Sequence, residues 1–117
     1  MCEGINKEMI EISDFDKVEV RVGSVVEVVE NRKARHPAYV LTIDFGAELG
    51  LKKSSAQITE LYSPEGLVGT QVVCCVNLSP MHIGSVKSEV RILGSDSEQG
   101  VVLLRPDMKV NNGDRIF

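Results

Sequence analysis

The chain has 117 residues, a formal net charge of −4 and 43% hydrophobic against 26% charged residues. That length fits one domain with enough core to fold without disulfide staples, and that composition excludes wholesale disorder. With 13 basic and 17 acidic residues, a histone-like basic coat is excluded, although a local basic patch is not.

No apolar stretch approaches the roughly 18 residues of a membrane helix. The first twelve residues alternate charge with apolar side chains and lack the apolar core of a cleaved signal. The three cysteines, Cys2, Cys74 and Cys75, are odd in number and two are adjacent. They do not form a disulfide framework and fit a reducing, cytoplasmic setting.

In chain order, residues 1–12 read as an N-terminal extension and residues 13–117 as the domain. Ser13 is placed to cap one helical turn through Lys17. Val18, Val20 and Val22 alternate with Glu19 and Arg21, and Val25, Val26, Val28 and Val29 continue beyond Gly23. This predicts one long strand with a bend or bulge at the glycine. Asn31 to Pro37 breaks the pattern with a polar, basic stretch. Tyr39, Leu41, Ile43 and Phe45 predict a half-buried strand. Gly46 and Gly50 mark a turn before a third strand over Lys52–Ile58. A helical turn is expected near Thr59–Tyr62, and Ser63 to Gly66 punctuates the next connection. Gln71–Asn77 is nearly continuous in apolar residues and predicts a buried strand. Val86, Ser88, Val90 and Ile92 share one face of a further strand, Gly100–Leu104 gives another, and Asn111-Asn112-Gly113 turns into a last short segment, Asp114–Phe117. Many short strands with little helix predict an all-β barrel or sandwich.

Three segments are candidate sites. The loop Arg32, Lys33, Arg35, His36, with Lys52 and Lys53 further on, gives residues 31–53 five basic against two acidic side chains, whereas residues 1–30 carry three against eight. Such a loop at a barrel mouth suits phosphate oxygens, and it is equally a solvated loop with ordinary surface cations. The strand Lys53-Ser54-Ser55-Ala56-Gln57 offers hydroxyls and an amide that hydrogen-bond bases or peptide backbone, or small residues that let a neighbour pack closely. Asn77 to Ser85 reads as a loop on which Met81 and Ile83 flank His82, either as an adaptable contact surface or as a segment tucked into the core. Adjacent Cys74 and Cys75 in a strand point to opposite faces, so a metal site is not expected, nor is any other cofactor. No residue set resembles a catalytic constellation, so the chain is not expected to be an enzyme.

Taken together, Val20-Arg21-Val22-Gly23, Ile43-Asp44-Phe45-Gly46, Lys52-Lys53-Ser54-Ser55-Ala56-Gln57-Ile58-Thr59, Tyr62-Ser63-Pro64-Glu65-Gly66, Val76-Asn77, Gly84-Ser85-Val86-Lys87-Ser88-Glu89-Val90 and Val101 to Asp107 resemble a known family. It is the tRNA-binding domain found beside methionyl-tRNA synthetases and as a free-standing dimer, and the likeness is greatest to its CsaA branch of export-related chaperones. The resemblance covers about residues 13–117. It implies a five-stranded OB-fold barrel with short flanking helical turns and extra terminal strands, assembled as a homodimer. It implies binding of tRNA or structured RNA, and of unfolded or pre-export polypeptide. Carried over by position, the RNA-facing residues are Lys33, Arg35, Lys52, Lys53, Ser54, Gln57, Asn77, Lys87 and Ser88. Met81, Ile83 and Val86 are the expected polypeptide contacts from their apolar character. The apolar ends, Ile10, Ile12, Ile116 and Phe117, are expected at the dimer interface.

One departure bears on function. Where the family commonly carries two further basic residues after the Val-Asn strand, this chain has Ser79-Pro80-Met81-His82. Losing two phosphate contacts weakens RNA binding and flattens its salt dependence by about two units of slope. The same change makes the segment more apolar and favours polypeptide.

Overall fold

The computed structural model describes residues 7–117, and Cys2 lies outside that range. Its longest strand, β1 (Val20–Glu30), serves two neighbours. Residues 20–24 pair with β4 (Gln71–Cys75) and residues 24–30 with β2 (Tyr39–Asp44), both antiparallel. The strand must therefore coil from one partner to the other. The irregularity that permits this falls between Val25 and Glu27, not at Gly23. Gly23 has a different task. It shares the barrel-facing side of the strand with Val25, and a Cβ there would lie 2.5 Å from the Ile43 side chain and 2.9 Å from the Phe45 ring. The glycine lets the core approach the backbone.

The sheet runs β3-β2-β1-β4-β7, where β3 is Leu51–Ala56 and β7 is Arg91–Ile92. The ring nearly closes where β3 meets the chain just before β7: the Glu89 N–H donates to the Lys53 carbonyl at 2.8 Å, and the Glu89 carboxylate accepts the Lys53 N–H at 3.1 Å. This is the five-strand barrel the resemblance implies. Val25, Leu41, Ile43, Phe45, Ile58, Leu67, Val72, Cys74 and Val90 fill it.

The strand expected over 86–92 is interrupted by Glu89 and Val90, giving β6 (Val86–Ser88) and β7. Glu89 spends its main-chain donor on the barrel seam, so the ladder cannot run through it. The third strand stops at Ala56, two residues short of Ile58. The stretch expected as a loop contains β5 (Met81–Ile83), which pairs with β6 as a hairpin. The unforeseen β8 (Gly94–Ser97) pairs with β9 (Gly100–Leu103), and β10 (Arg115–Ile116) joins the start of β1.

The helices are single turns. α1 is Ile12–Phe15, α2 is Gly46–Leu49 and α3 is Pro64–Leu67. Ser13 lies inside α1, so it does not cap it. Instead Asp14 folds back, its carboxylate accepting the Glu11 N–H at 3.1 Å. α3 is capped by Ser63, whose hydroxyl accepts the Gly66 N–H at 3.1 Å, with Pro64 at the first helical position. Residues 59–61 form a turn rather than a helix. The two tyrosines tie this connection down. Tyr39 donates its hydroxyl to the Tyr62 carbonyl at 2.7 Å, and the Tyr62 hydroxyl accepts the Leu103 N–H at 2.8 Å.

Candidate functional site

The basic loop between β1 and β2 is closed at its base by Asn31, which is buried at 7% exposure. The Asn31 N–H donates to the Ala38 carbonyl at 2.9 Å and its carbonyl accepts the Ala34 N–H at 3.3 Å. Its side-chain amide donates twice at 3.0 Å, to the Ser55 hydroxyl on β3 and to the Ile83 carbonyl on β5. Arg32, Lys33, Arg35 and His36 stand exposed beyond it.

The hairpin turn then packs on the loop. Gly84 has φ +65°, and a Cβ on it would lie 2.8 Å from the Lys33 carbonyl carbon. The fold thus joins two segments some fifty residues apart in sequence. Along the hairpin, His82 faces Lys87 directly across the pair, while Met81 faces Ser88 and Ile83 faces Val86. Alternation puts His82 and Lys87 on one face and the other four on the opposite face.

That opposite face borders a groove of about 500 Å³. Its apolar lining includes Leu78, Met81, Ile83, Val90, Ile92 and Val101, and its polar lining Ser54, Ser55, Gln57, Ser79 and Ser88. Glu89, Arg91 and Asp96 make the charged lining acidic by one. No aromatic ring lines it: Phe45 and Tyr39 are core, and Phe117 is 93% exposed at the far end of the chain.

The expected RNA-facing residues therefore fall into separate sets. Lys33 and Arg35 sit together on the anchored loop, and Lys87 on the hairpin that touches it. Ser54, Gln57 and Ser88 line the groove instead, beside Met81 and Ile83 of the expected polypeptide set. Val86 shares their hairpin face without lining the groove. Ser54 is 1% exposed, so it serves close packing. Lys52 and Lys53 are strand neighbours whose side chains leave β3 on opposite sides. Asn77 is engaged at both polar ends: its side-chain oxygen accepts the Glu19 N–H at 2.8 Å and its amide donates to the Lys17 carbonyl at 2.7 Å. It braces the entry to β1.

Sequence reasoning missed Asn31, Arg91 and Asp96. Asn31 reads only as the residue that ends a strand, and nothing local to it announces partners at 55 and 83.

Among the described residues the ion pairs use Lys17 and Arg21 alone. The cations of the loop and hairpin are thus unpaired by protein, the condition under which binding a polyanion releases counterions. The groove offers hydroxyls and an amide beside flexible apolar side chains, which suits main-chain hydrogen bonding and apolar side chains. Cys74 is fully buried on the core side of β4, and burial first, then the neighbouring Cys75, pushes its thiol from 9.0 up to about 12. Cys75 is 4% exposed on the other face. Neither is a reactive nucleophile, and no cluster of metal-ligating side chains occurs among the described residues.

The sequence matches, over residues 20–115, the family described as "Putative tRNA binding domain". Among solved structures, the chaperone CsaA from Bacillus anthracis superposes with a TM-score of 0.88 at 46% identity, covering 94% of this chain and 100% of that one. The CsaA chaperone protein from Picrophilus torridus gives 0.89 at 42% identity, covering 93% and 100%. The methionine–tRNA ligase of Thermococcus kodakarensis is 35% identical over 97% of this chain, which spans only 15% of the length of that enzyme. No helix of the described residues is long and apolar enough to cross a membrane.

Proposed function

Because the chain belongs to the tRNA-binding domain family, and within it to the CsaA group, we propose that it is a non-enzymatic binding protein for tRNA or similarly structured RNA. The observation that carries this reading is the junction of the Arg32–His36 loop with the β5–β6 hairpin, which joins two distant segments whose cations have no ion-pair partner among the described residues. Lys33, Arg35 and Lys87 take phosphates. Either Lys52 or Lys53 extends the path, according to which side of β3 the RNA follows. Recognition is of backbone and shape rather than of stacked bases, because no aromatic platform accompanies the cations. The ligase similarity does not bring aminoacylation with it, since it covers only a small part of that enzyme.

The test is fluorescence anisotropy of labelled tRNA across a salt series. Binding with a steep salt slope supports the reading. No binding even at low salt sinks it, and means that Met81 and His82 have removed the activity.

A second activity, chaperone-like binding of unfolded or pre-export polypeptide, is favoured by the groove. Its apolar wall of Met81, Ile83 and Ile92 lies beside Gln57 and Ser88, away from His82 and Lys87. Met81→Ser should weaken capture of a labelled unfolded polypeptide while leaving tRNA affinity unchanged. Equal loss of both would merge the two sites into one.

The active species in this proposal is a cytoplasmic homodimer. Ile12 at 75%, Met108 at 75% and Phe117 at 93% exposure leave apolar surface near both ends. Light scattering on Phe117→Ser checks the C-terminal share of that interface, and a fully dimeric variant excludes it.

A further inference from the structure

We infer that Asn31 is the positioning residue of the RNA surface: it holds the basic loop against the hairpin so that their cations meet RNA as one preformed unit. This rests on the RNA-binding reading above. The geometry is specific. One buried amide spends both donors on two different elements, the Ser55 hydroxyl on β3 and the Ile83 carbonyl on β5, each at 3.0 Å. Its main chain closes the loop on itself through Ala38 and Ala34. A second contact works independently to the same end, because the absent side chain of Gly84 lets the hairpin turn rest on the Lys33 main chain.

The side chains of Arg32, Lys33 and Arg35 have no ion-pair partner among the described residues to order them. A loop without its anchor would sample many conformations, and RNA would have to select one, losing affinity to ordering without losing a single phosphate contact. This separates positioning from contact. Removing a phosphate-binding cation lowers affinity and flattens the salt slope, whereas removing the positioning residue lowers affinity and leaves the slope unchanged.

The experiment measures tRNA anisotropy across a salt series, with amide hydrogen exchange on the same proteins, for wild type, Asn31→Ala and Ser55→Ala. Asn31→Ala loses both side-chain bonds, and affinity should fall about tenfold, a preorganisation loss of ordinary size. Ser55→Ala removes only one acceptor and should lower affinity about threefold by the same reasoning, and it decides the matter if Asn31→Ala fails to fold. In both, the slope should stay within about half a unit of wild type, and exchange should accelerate at 32–36 and 82–87 but not in β4. A folded Asn31→Ala with wild-type affinity overturns the inference. So does unchanged exchange in the loop, or a slope lowered by a full unit, which marks lost contacts. If wild type itself binds no tRNA, the functional reading fails and the positioning role goes with it. The exchange data then still show whether the anchor orders the loop.

Discussion

Replacing Gly23 by alanine tests the packing that lets this barrel close. The added methyl would lie 2.5 Å from Ile43 Cγ2 and 2.9 Å from two carbons of the Phe45 ring. Carbon atoms in contact sit about 3.5–4.0 Å apart, so something must move by about 1 Å. Neither neighbour has room, since Ile43 is 0% and Phe45 1% exposed. Overpacking of this kind costs about 1–3 kcal/mol, and the tight geometry places Gly23→Ala towards the upper end. Against this, alanine restricts the unfolded chain and returns about 0.4–1 kcal/mol. The net loss is about 2 kcal/mol. At about 2 cal/mol/K of unfolding entropy per residue, a chain of this length should melt about 8 °C lower. Urea unfolding followed by circular dichroism should show the midpoint fall by about 1 M with the slope unchanged. In an Ile43→Ala background, itself destabilised by about 2–5 kcal/mol as a core truncation, Gly23→Ala should cost less than it does in wild type, because the nearer clashing atom is gone. An unchanged or higher midpoint for Gly23→Ala alone would refute the close-approach explanation.

Three further outcomes are expected. Lys33→Ala with Arg35→Ala should lower the salt slope of tRNA binding by about 1.4–1.8 units, and a slope that does not move means the loop does not touch phosphate. Asn77→Ala, which loses both bracing bonds to residues 17 and 19, should destabilise the fold by about 1 kcal/mol in urea. Its tRNA affinity should match wild type below the unfolding transition, and a lowered affinity at an unchanged salt slope would make Asn77 an RNA contact. Cys74 makes stability depend on alkaline pH. The unfolded chain releases its thiol proton near 9.0, while burial holds the proton in the folded chain up to about 12. The contribution is thus complete below pH 9 and declines across that interval, by about 1.4 kcal/mol per pH unit. The urea midpoint of Cys74→Ala should therefore fall less than that of wild type between about pH 8.5 and pH 10.5, and parallel falls would contradict the burial argument.

Alternation along each segment made the strands legible, because a half-buried strand must repeat every two residues and that rule is local. It put Leu41, Ile43 and Phe45 on one buried face; a continuous apolar run marked Gln71–Asn77, of which Gln71–Cys75 forms the strand, and motifs contiguous in the chain carried the family resemblance. It misplaced Gly23 as the bend, since a glycine in a strand signals either a bulge or a close approach, and only the position of Ile43 decides between them. The family resemblance grouped Ser54, Gln57, Asn77 and Ser88 with Lys33, whereas the fold sets three of them along the groove and Asn77 at the entry to β1, because position in a motif does not say which way a side chain leaves its strand.

Composition and periodicity thus determined an all-β domain with a basic loop. The tertiary structure decided that the loop lies against Gly84, that one buried asparagine ties it to β3 and β5, and that Met81 and His82 face opposite sides of a hairpin. The reason is physical. Strand formation follows from the nearest neighbours in the chain, whereas a binding surface follows from barrel closure, which sets residues 31, 55 and 83 within hydrogen-bond reach and leaves no trace in the sequence around any one of them.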